Sequence, residues 1–252
     1  MNILLTNDDG IYARGLNALL VFLSQGHQVN VVAPASEQSA VGHGITLYTP
    51  LRAERIKLLS NCWGYAVTGS PVDCVKIALT ELLNNSPDII ISGINNGLNT
   101  GINVNYSGTV AAVREAALYG IPGIAVSMAH SDLMDYDGAA RFVEKLMYNV
   151  IKNGLPFGTF LNVNIPGIPI NEIRGVQWTN QSISRLSDGY EKRIDPKKNA
   201  YYWPIYDPLI FKDQENTDGY AISNHHISIT PLQCDVTDYN SLKTMKKWDM
   251  SL

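Results

Sequence analysis

Cysteine is scarce in this chain: three residues among 252, Cys62, Cys74 and Cys234. The number is odd and no two form C-x-x-C, so neither a disulfide framework nor a cysteine zinc site is expected. A basic excess is also missing. Nineteen Lys and Arg stand against 23 Asp and Glu, for a formal charge of −4 and a pI near 5.7. That leaves no electrostatic footprint for duplex nucleic acid. Lys197-Lys198 and Lys246-Lys247, with Lys243, read as solvated faces. No apolar run approaches the roughly 20 residues of a membrane span, and the first residues lack the basic stretch and long apolar core of a secretory leader. A cytoplasmic protein with reduced thiols and no membrane contact is the expectation. G-x-G-x-x-G and G-x-x-x-x-G-K-[ST] do not occur, which removes support for dinucleotide and P-loop readings.

What is present is an ordinary globular composition, 45% hydrophobic, enough for a large core. The first two thirds alternate strand-like and helix-like patterns. Strands are expected at Asn2–Leu5, Gln28–Val32, Gly64–Thr68, Ile89–Ile91, Ile124–Ser127 and Phe160–Ile165, and helices at Leu16–Leu23, Thr109–Leu118 and Ala139–Ile151. Between the third and fourth strands, Ser70-Pro71-Val72-Asp73 has the form of a capping box with Pro in the first turn, so a further helix should run from there through Leu83. This βαβα rhythm implies an α/β fold, a mostly parallel sheet with helices on both faces. The rhythm breaks after Pro166. Gln177 to Pro208 is rich in Asn, Ser, Tyr and Pro and reads as an extended hairpin arm. A strand at His226–Leu232 and a helix at about Ser241–Trp248 follow. The expected division is a core of residues 1–176 and an arm, returning strand and terminal helix over 177–252, the latter serving oligomer contacts and offering a substrate pocket for the base.

The polar residues collect behind the strands. The first strand runs into Asn7-Asp8-Asp9-Gly10, the second into Ala35 to Ser39, and the strand at Ile89–Ile91 into Ser92 to Gly97. In an open parallel sheet these loops share one edge, where ligands bind. A fourth stretch, Asn105-Tyr106-Ser107-Gly108-Thr109, opens a helix, whose free N–H groups and dipole favour an anion, with phosphate the obvious guest. Adjacent carboxylates disfavour each other's ionisation unless a cation compensates. Asp8 and Asp9 therefore face a cation, and the cation faces the phosphate. The donors are carboxylate, hydroxyl and amide oxygens, which suit Mg²⁺ or Mn²⁺ better than zinc or copper.

Each stretch alone has a plainer reading. NDDG is a turn or cap, Ser39 a loop hydroxyl, Asn95-Asn96-Gly97 a turn, and YSGT a helix start. His43 is a catalytic acid or, preferably, a loop histidine. His130 is a weaker site candidate, and His225-His226 read as structural residues on a strand. Tyr201, Tyr202 and Trp203 either stack on a base or pack in an arm or interface. Convergence of four loops is what lifts the active-site reading, since the plain readings need four separate explanations.

LLTNDDG, APASEQSAVGHGIT, VTGSPVDCV, SGINNGLNTGINVNYSGTVAA, LNVNIP and ISITPL, in this order along nearly the whole chain, resemble the SurE survival-protein family of 5′-nucleotidases. The resemblance implies a Rossmann-like core, one divalent cation per subunit (Mg²⁺ or Mn²⁺) and an extended C-terminal part that builds a homodimer or homotetramer. It implies an acid-phosphatase-like phosphoric monoester hydrolase acting on nucleoside 5′- and 3′-monophosphates, with exopolyphosphatase activity in some members. Asp8, Asp9, Ser39 and Asn95 match the family's metal ligands; Asn96, Ser107, Gly108 and Thr109 match positions near the phosphate. Asp8, Asp9 and Asn96 are the expected catalytic residues. Ala40 replaces a usual Gly, Gly44 a common Ser, and Ala116 a frequent Gly; VTGSP stands for a GTP-type turn. None of these touches an expected ligand. Asp8 is followed two positions on by Gly10, so the Asp-x-Asp phosphatase pattern fails. A nucleotide-binding sensor without turnover is the remaining alternative.

Overall fold

The computed structural model describes residues 1–59, 62–183, 188–206 and 214–250. Strand β1 (Asn2–Thr6) lies at the centre, paired in parallel with β2 (Gln28–Pro34) on one side and β5 (Ile89–Asn96) on the other. Its side chains alternate between two cores. Ile3 and Leu5 join one cluster, with residues of α1 (Arg14–Leu23) and α4 (Tyr136–Asn153). Leu4 and Ile90 join the other, with α2 (Pro71–Ile77) and α3 (Gly108–Leu118). A strand covered on both faces has no polar-facing side, which is why Ile3–Leu5 of β1 and Ile89–Ile91 of β5 read as unbroken apolar runs. Helix α1 buries Leu16, Leu19, Leu20 and Leu23, the i, i+3, i+4, i+7 stripe of a helix lying on a sheet.

The remaining strands of the main sheet are β3 (Ala53–Leu59), β4 (Cys62–Val67), β6 (Gly123–Met128), β7 (Thr159–Ile165), β8 (Gly175–Trp178) and β11 (His226–Gln233). Among the described residues the order is β3-β4-β2-β1-β5-β6-β7-β11-β8. Pairing is parallel from β4 through β7; β3 runs antiparallel to β4, and β11 antiparallel to β7. From β1 the chain winds outward through β2 and β4, then crosses back to β5 and winds the other way. The crevice outside the carboxyl ends of β1 and β5 is thus the switch point where open α/β sheets hold ligands.

The expected elements are present with boundaries shifted by one to three residues at most sites. The capping box forms: Ser70 Oγ accepts from Asp73 N at 3.1 Å and Asp73 Oδ2 accepts from Ser70 N at 2.9 Å. The helix it starts is regular only to Ile77 and then widens into a π turn, Ala78–Leu82, closed by Leu83 N donating to Ala78 O at 3.0 Å. Strand β3 was not expected. AERIKLL mixes charges with apolar residues because it is an edge strand, half exposed along its length. Gln177 and Trp178, read from sequence as the start of the arm, instead lie in β8, where parallel pairing with β11 gives them a sheet partner.

The hairpin itself is formed by β9 (Asp188–Ile194) and β10 (Ala200–Tyr206), an antiparallel pair separate from the main sheet. Residues 184–187 and 207–208 of the expected arm lie outside the described residues. A short helix, α5 (Asp218–Ser223), leads into β11. His226 begins that strand and His225 precedes it with a positive φ. The last helix, α6 (Tyr239–Met245), buries none of its residues.

Candidate active site

The four polar stretches meet. One cleft of about 630 Å³ is lined by Asp8 and Asp9 after β1, by Glu37, Ser39 and Ala40 after β2, and by Asn95 and Asn96 at the end of β5. Leu98, Asn99, Asn103, Tyr106 and Ser107, from the segment before α3, line the rest. The hairpin supplies a further wall through Gly189, Tyr190 and Pro204.

Asp8 is 5% exposed. The Thr109 hydroxyl donates to its Oδ1, and the main-chain N–H groups of Thr109 and Gly108 also favour its charged form. Burial nonetheless pushes its carboxyl above the ordinary value. Gly108 must be glycine for contact reasons: a Cβ there would stand 2.8 Å from Asp8 Cβ and 3.1 Å from Pro71 Cγ. Asp8 thus sits at the positive end of α3. Asp9 is the more open carboxylate. Burial, together with the charges of Asp8 and Glu37, raises it to about 6, against a 3.4 Å hydrogen bond from Asn96 N.

Ser39 and Asn95 reach the cleft by different devices. Ser39 Oγ donates to Glu37 Oε1 at 2.5 Å. Its loop is pinned where Gly42 N donates to Tyr106 O at 2.9 Å and Gln38 N to Asp8 O at 2.8 Å. Asn95 follows a bulge in β5, where the pairing with β6 shifts between Ser92 and Asn95. A bulge turns the side chains that follow it. Asn95 Nδ2 donates to Gly97 O at 2.7 Å, so its carbonyl oxygen is the atom available to an ion. The amide of Asn96 is turned the other way. Its Oδ1 pairs with His130 Nδ1 at 2.9 Å, which leaves its nitrogen as a donor. Ser107 caps α3, accepting from Val110 N at 3.1 Å, and keeps its own O–H to donate.

The structure therefore brings Asp8, Asp9, Ser39, Asn95, Asn96 and Ser107 to one cleft, while Gly108 and Thr109 lie directly beneath, turned to Asp8. His43 is a loop residue, as expected. Its Nε2 is 2.8 Å from Glu115, which also binds Lys76 at 3.1 Å. The His43 hydrogen bond and Lys76 hold Glu115 below its ordinary value despite burial. Glu37, Asn99, Asn103 and Tyr190 were not anticipated. Tyr190 comes from a hairpin remote in sequence, and nothing local marks it.

The donor set fits a hard divalent cation. Two carboxylates are pushed upward together, a third lies beside them, and among the described residues no Lys or Arg lines the cleft. Among the described residues no cluster of three or more His, Cys, Asp or Glu is placed to hold an ion. Asp8 and Asp9 would be completed by the neutral oxygens of Ser39 and Asn95, as Mg²⁺ and Mn²⁺ accept.

Fold and cleft define an α/β protein with an acidic, oxygen-lined crevice at the switch point of a parallel sheet. The family model described as survival protein SurE matches residues 3–188, and the chain belongs to that family. It is 46% identical over 250 residues to a protein of Syntrophobacter fumaroxidans named 5′-nucleotidase SurE, covering 99% of this chain and 100% of the relative. A protein of the same name from Desulfatibacillum aliphaticivorans is 48% identical, covering 98% of each. The crystal structure of the SurE protein from Aquifex aeolicus superposes with a TM-score of 0.85 at 35% identity, covering 98% of both chains.

Proposed function

We propose that this protein is a 5′-nucleotidase: a divalent-cation-dependent phosphomonoesterase that hydrolyses nucleoside 5′-monophosphates, and 3′-monophosphates, to nucleoside and phosphate. The observation that carries the reading is the convergence of Asp8, Asp9, Ser39, Asn95, Asn96 and Ser107 on one cleft at the mouth of α3. The names of the full-length relatives agree with it. Polyphosphate ends present the same terminal phosphoryl group and form the second substrate class.

In this reading Asp8, Asp9, Ser39 and Asn95 hold one Mg²⁺ or Mn²⁺ per subunit. Such an ion, when bound, supplies charge to the phosphoryl oxygens and lowers the pKa of a coordinated water. Asn96 Nδ2 and the Ser107 hydroxyl donate to the equatorial oxygens, where charge develops as the ester bond breaks. Gly108 and Thr109 form the floor on which Asp8 and the phosphate meet, at the positive end of α3. The attacking group is water; an acyl phosphate on Asp8 or Asp9, trapped by hydroxylamine, would replace that assignment.

The same reading makes residues 1–176 the catalytic core and gives the C-terminal part to a homodimer or homotetramer. Exposed Tyr239 and Met245 on α6, and Tyr190, Tyr202 and Trp203 on the hairpin, support it. The same reading places the enzyme in the cytoplasm; among the described residues no helix is long and apolar enough to cross a membrane.

The test is phosphate release from a panel of nucleoside monophosphates with Mg²⁺, Mn²⁺ or EDTA, for wild type and Asp9→Asn. Release that needs the cation and falls by at least about 100-fold in the variant is expected. Nucleotide binding without release under any cation would make the protein a sensor instead.

A further inference from the structure

Strand β7 carries two asparagines, Asn162 and Asn164, both 0% exposed. Residues two apart on a strand share a face. Amides in such a place cost free energy unless their donors and acceptors are met. Asn162 is met only in part: Nδ2 donates to Asn99 O at 2.8 Å, while Oδ1 has no partner. Asn164 Oδ1 accepts from Asn99 N at 2.8 Å, and its Nδ2 donates to Asn99 O at 3.2 Å. Asn99 closes the set by donating from Nδ2 to Ser127 Oγ at 2.8 Å, on β6.

Both main-chain polar groups of one residue are therefore gripped by side chains from a strand two places away in the sheet. Valine at either position would suit a central strand better. The asparagines favour the placement of residue 99 over cohesion of the sheet.

Residue 99 is the far end of a short bridge. The near end is the β5 bulge that delivers Asn95 and Asn96. Midway, Gly97 N donates to Met128 O at 2.8 Å, and Asn95 is tied to Gly97 O. With Asn99 fixed, the bridge cannot slide, and Asn95 and Asn96 keep their stations opposite Asp9, to which Asn96 N donates.

We propose that Asn162 and Asn164 are positioning residues for the reaction, acting through the Asn99 backbone to set the Asn95–Asn96 pair. The inference rests on the catalytic reading of the cleft given above. Networks of this kind change rate by orientation, without contact to substrate.

The experiment compares full-length wild type with Asn164→Val, Asn162→Val and Thr179→Val. Thr179 bonds Ser228 at 2.7 Å and Thr230 at 2.8 Å in a buried hydroxyl set that does not touch Asn99. Amide hydrogen exchange at residue 99 is read alongside kcat and KM. In Asn164→Val the Asn99 amide should exchange faster, and kcat should fall about tenfold with KM little changed. Thr179→Val should lower Tm and leave kcat alone. Should Asn164→Val fail to fold, Asn162→Val carries the test, because it removes one bond and strands no donor. Folded variants with wild-type kcat overturn the proposal, whether or not exchange at residue 99 quickens. A wild type without phosphatase activity would instead overturn the reading of the cleft, a result seen before any variant is compared.

Discussion

The Thr109 hydroxyl, in the first turn of α3, donates to Oδ1 of Asp8 at the end of β1. Two residues 101 apart in sequence are joined there through a fully buried threonine hydroxyl, beside the main-chain N–H groups of Thr109 and Gly108. Burial pushes the Asp8 carboxyl up and this bond is the main force opposing it. Thr109→Val keeps the shape and removes the donor. It should weaken Mn²⁺ binding and lower kcat/KM by about 10- to 100-fold, the usual effect of losing a group that orients a metal ligand. Thr109→Ser should restore most of both. Calorimetric Mn²⁺ titration alongside the phosphate assay checks it, and equal values for Val and wild type would remove Thr109 from the site.

Gly108 makes the same point through shape. A methyl group there would stand 2.8 Å from Asp8 Cβ and 3.0 Å from Asp8 Oδ2. Pro71, buried in the first turn of α2, closes the other side. The carboxylate is the part that can give way. Gly108→Ala should therefore destabilise the fold by about 1–3 kcal/mol as overpacking does, yet lower activity far more. Urea titration and the phosphate assay on one preparation separate the two effects.

Local signals carried most of the core to the surface of the sequence. An apolar run bounded by NDDG gives β1 its limits, because a strand covered on both faces needs apolar residues throughout and stops where the polar edge begins. The capping box of Ser70 and Asp73 is written in four consecutive residues. What stayed hidden depends on partners far away. The β5 bulge is a property of its pairing with β6. β3 is an edge strand whose half-exposed pattern is neither clean alternation nor a buried run. In LNVNIP the asparagines look like the solvent side of a strand, yet they are buried, because the loop at Asn99 folds over them. Tyr190 reaches the cleft only once the hairpin is placed.

Asp73 gives a stability prediction with a definite sign. Burial pushes its carboxyl up, but hydrogen bonds from the Thr46 hydroxyl and amide and from Ser70 prevail and hold it below the ordinary value. A carboxyl depressed in the folded state contributes stability that is complete above the unfolded pKa and fades as pH falls through the folded one. Asp73→Ala leaves the Ser70 cap in place but removes the reciprocal half of the capping box and the acceptor of the Thr46 bonds, so it should cost about 1–2 kcal/mol near pH 7. The gap between variant and wild type should narrow as pH drops below about 4. Thermal unfolding from pH 7 to pH 3 tests this; a gap that stays constant to pH 3 would mean the carboxylate charge plays no part.

Helix α6 has seven residues and buries none of them against its own chain. A helix so short does not persist on local propensity alone. Tyr239, Leu242 and Met245 recur at intervals of three and are 56%, 39% and 48% exposed, a stripe that one helical face presents together. Trp248 and Val236 extend the apolar surface at either end, 60% and 84% exposed. A second copy of the chain is the partner that would be present whenever the protein is. Leu242→Asp with Met245→Asp places two charges in that stripe without touching the cleft. Light scattering should show the wild type as the proposed homodimer or homotetramer at micromolar concentration, and the double variant as a single copy. A wild type that already runs as one chain would mean the stripe serves some contact other than self-assembly.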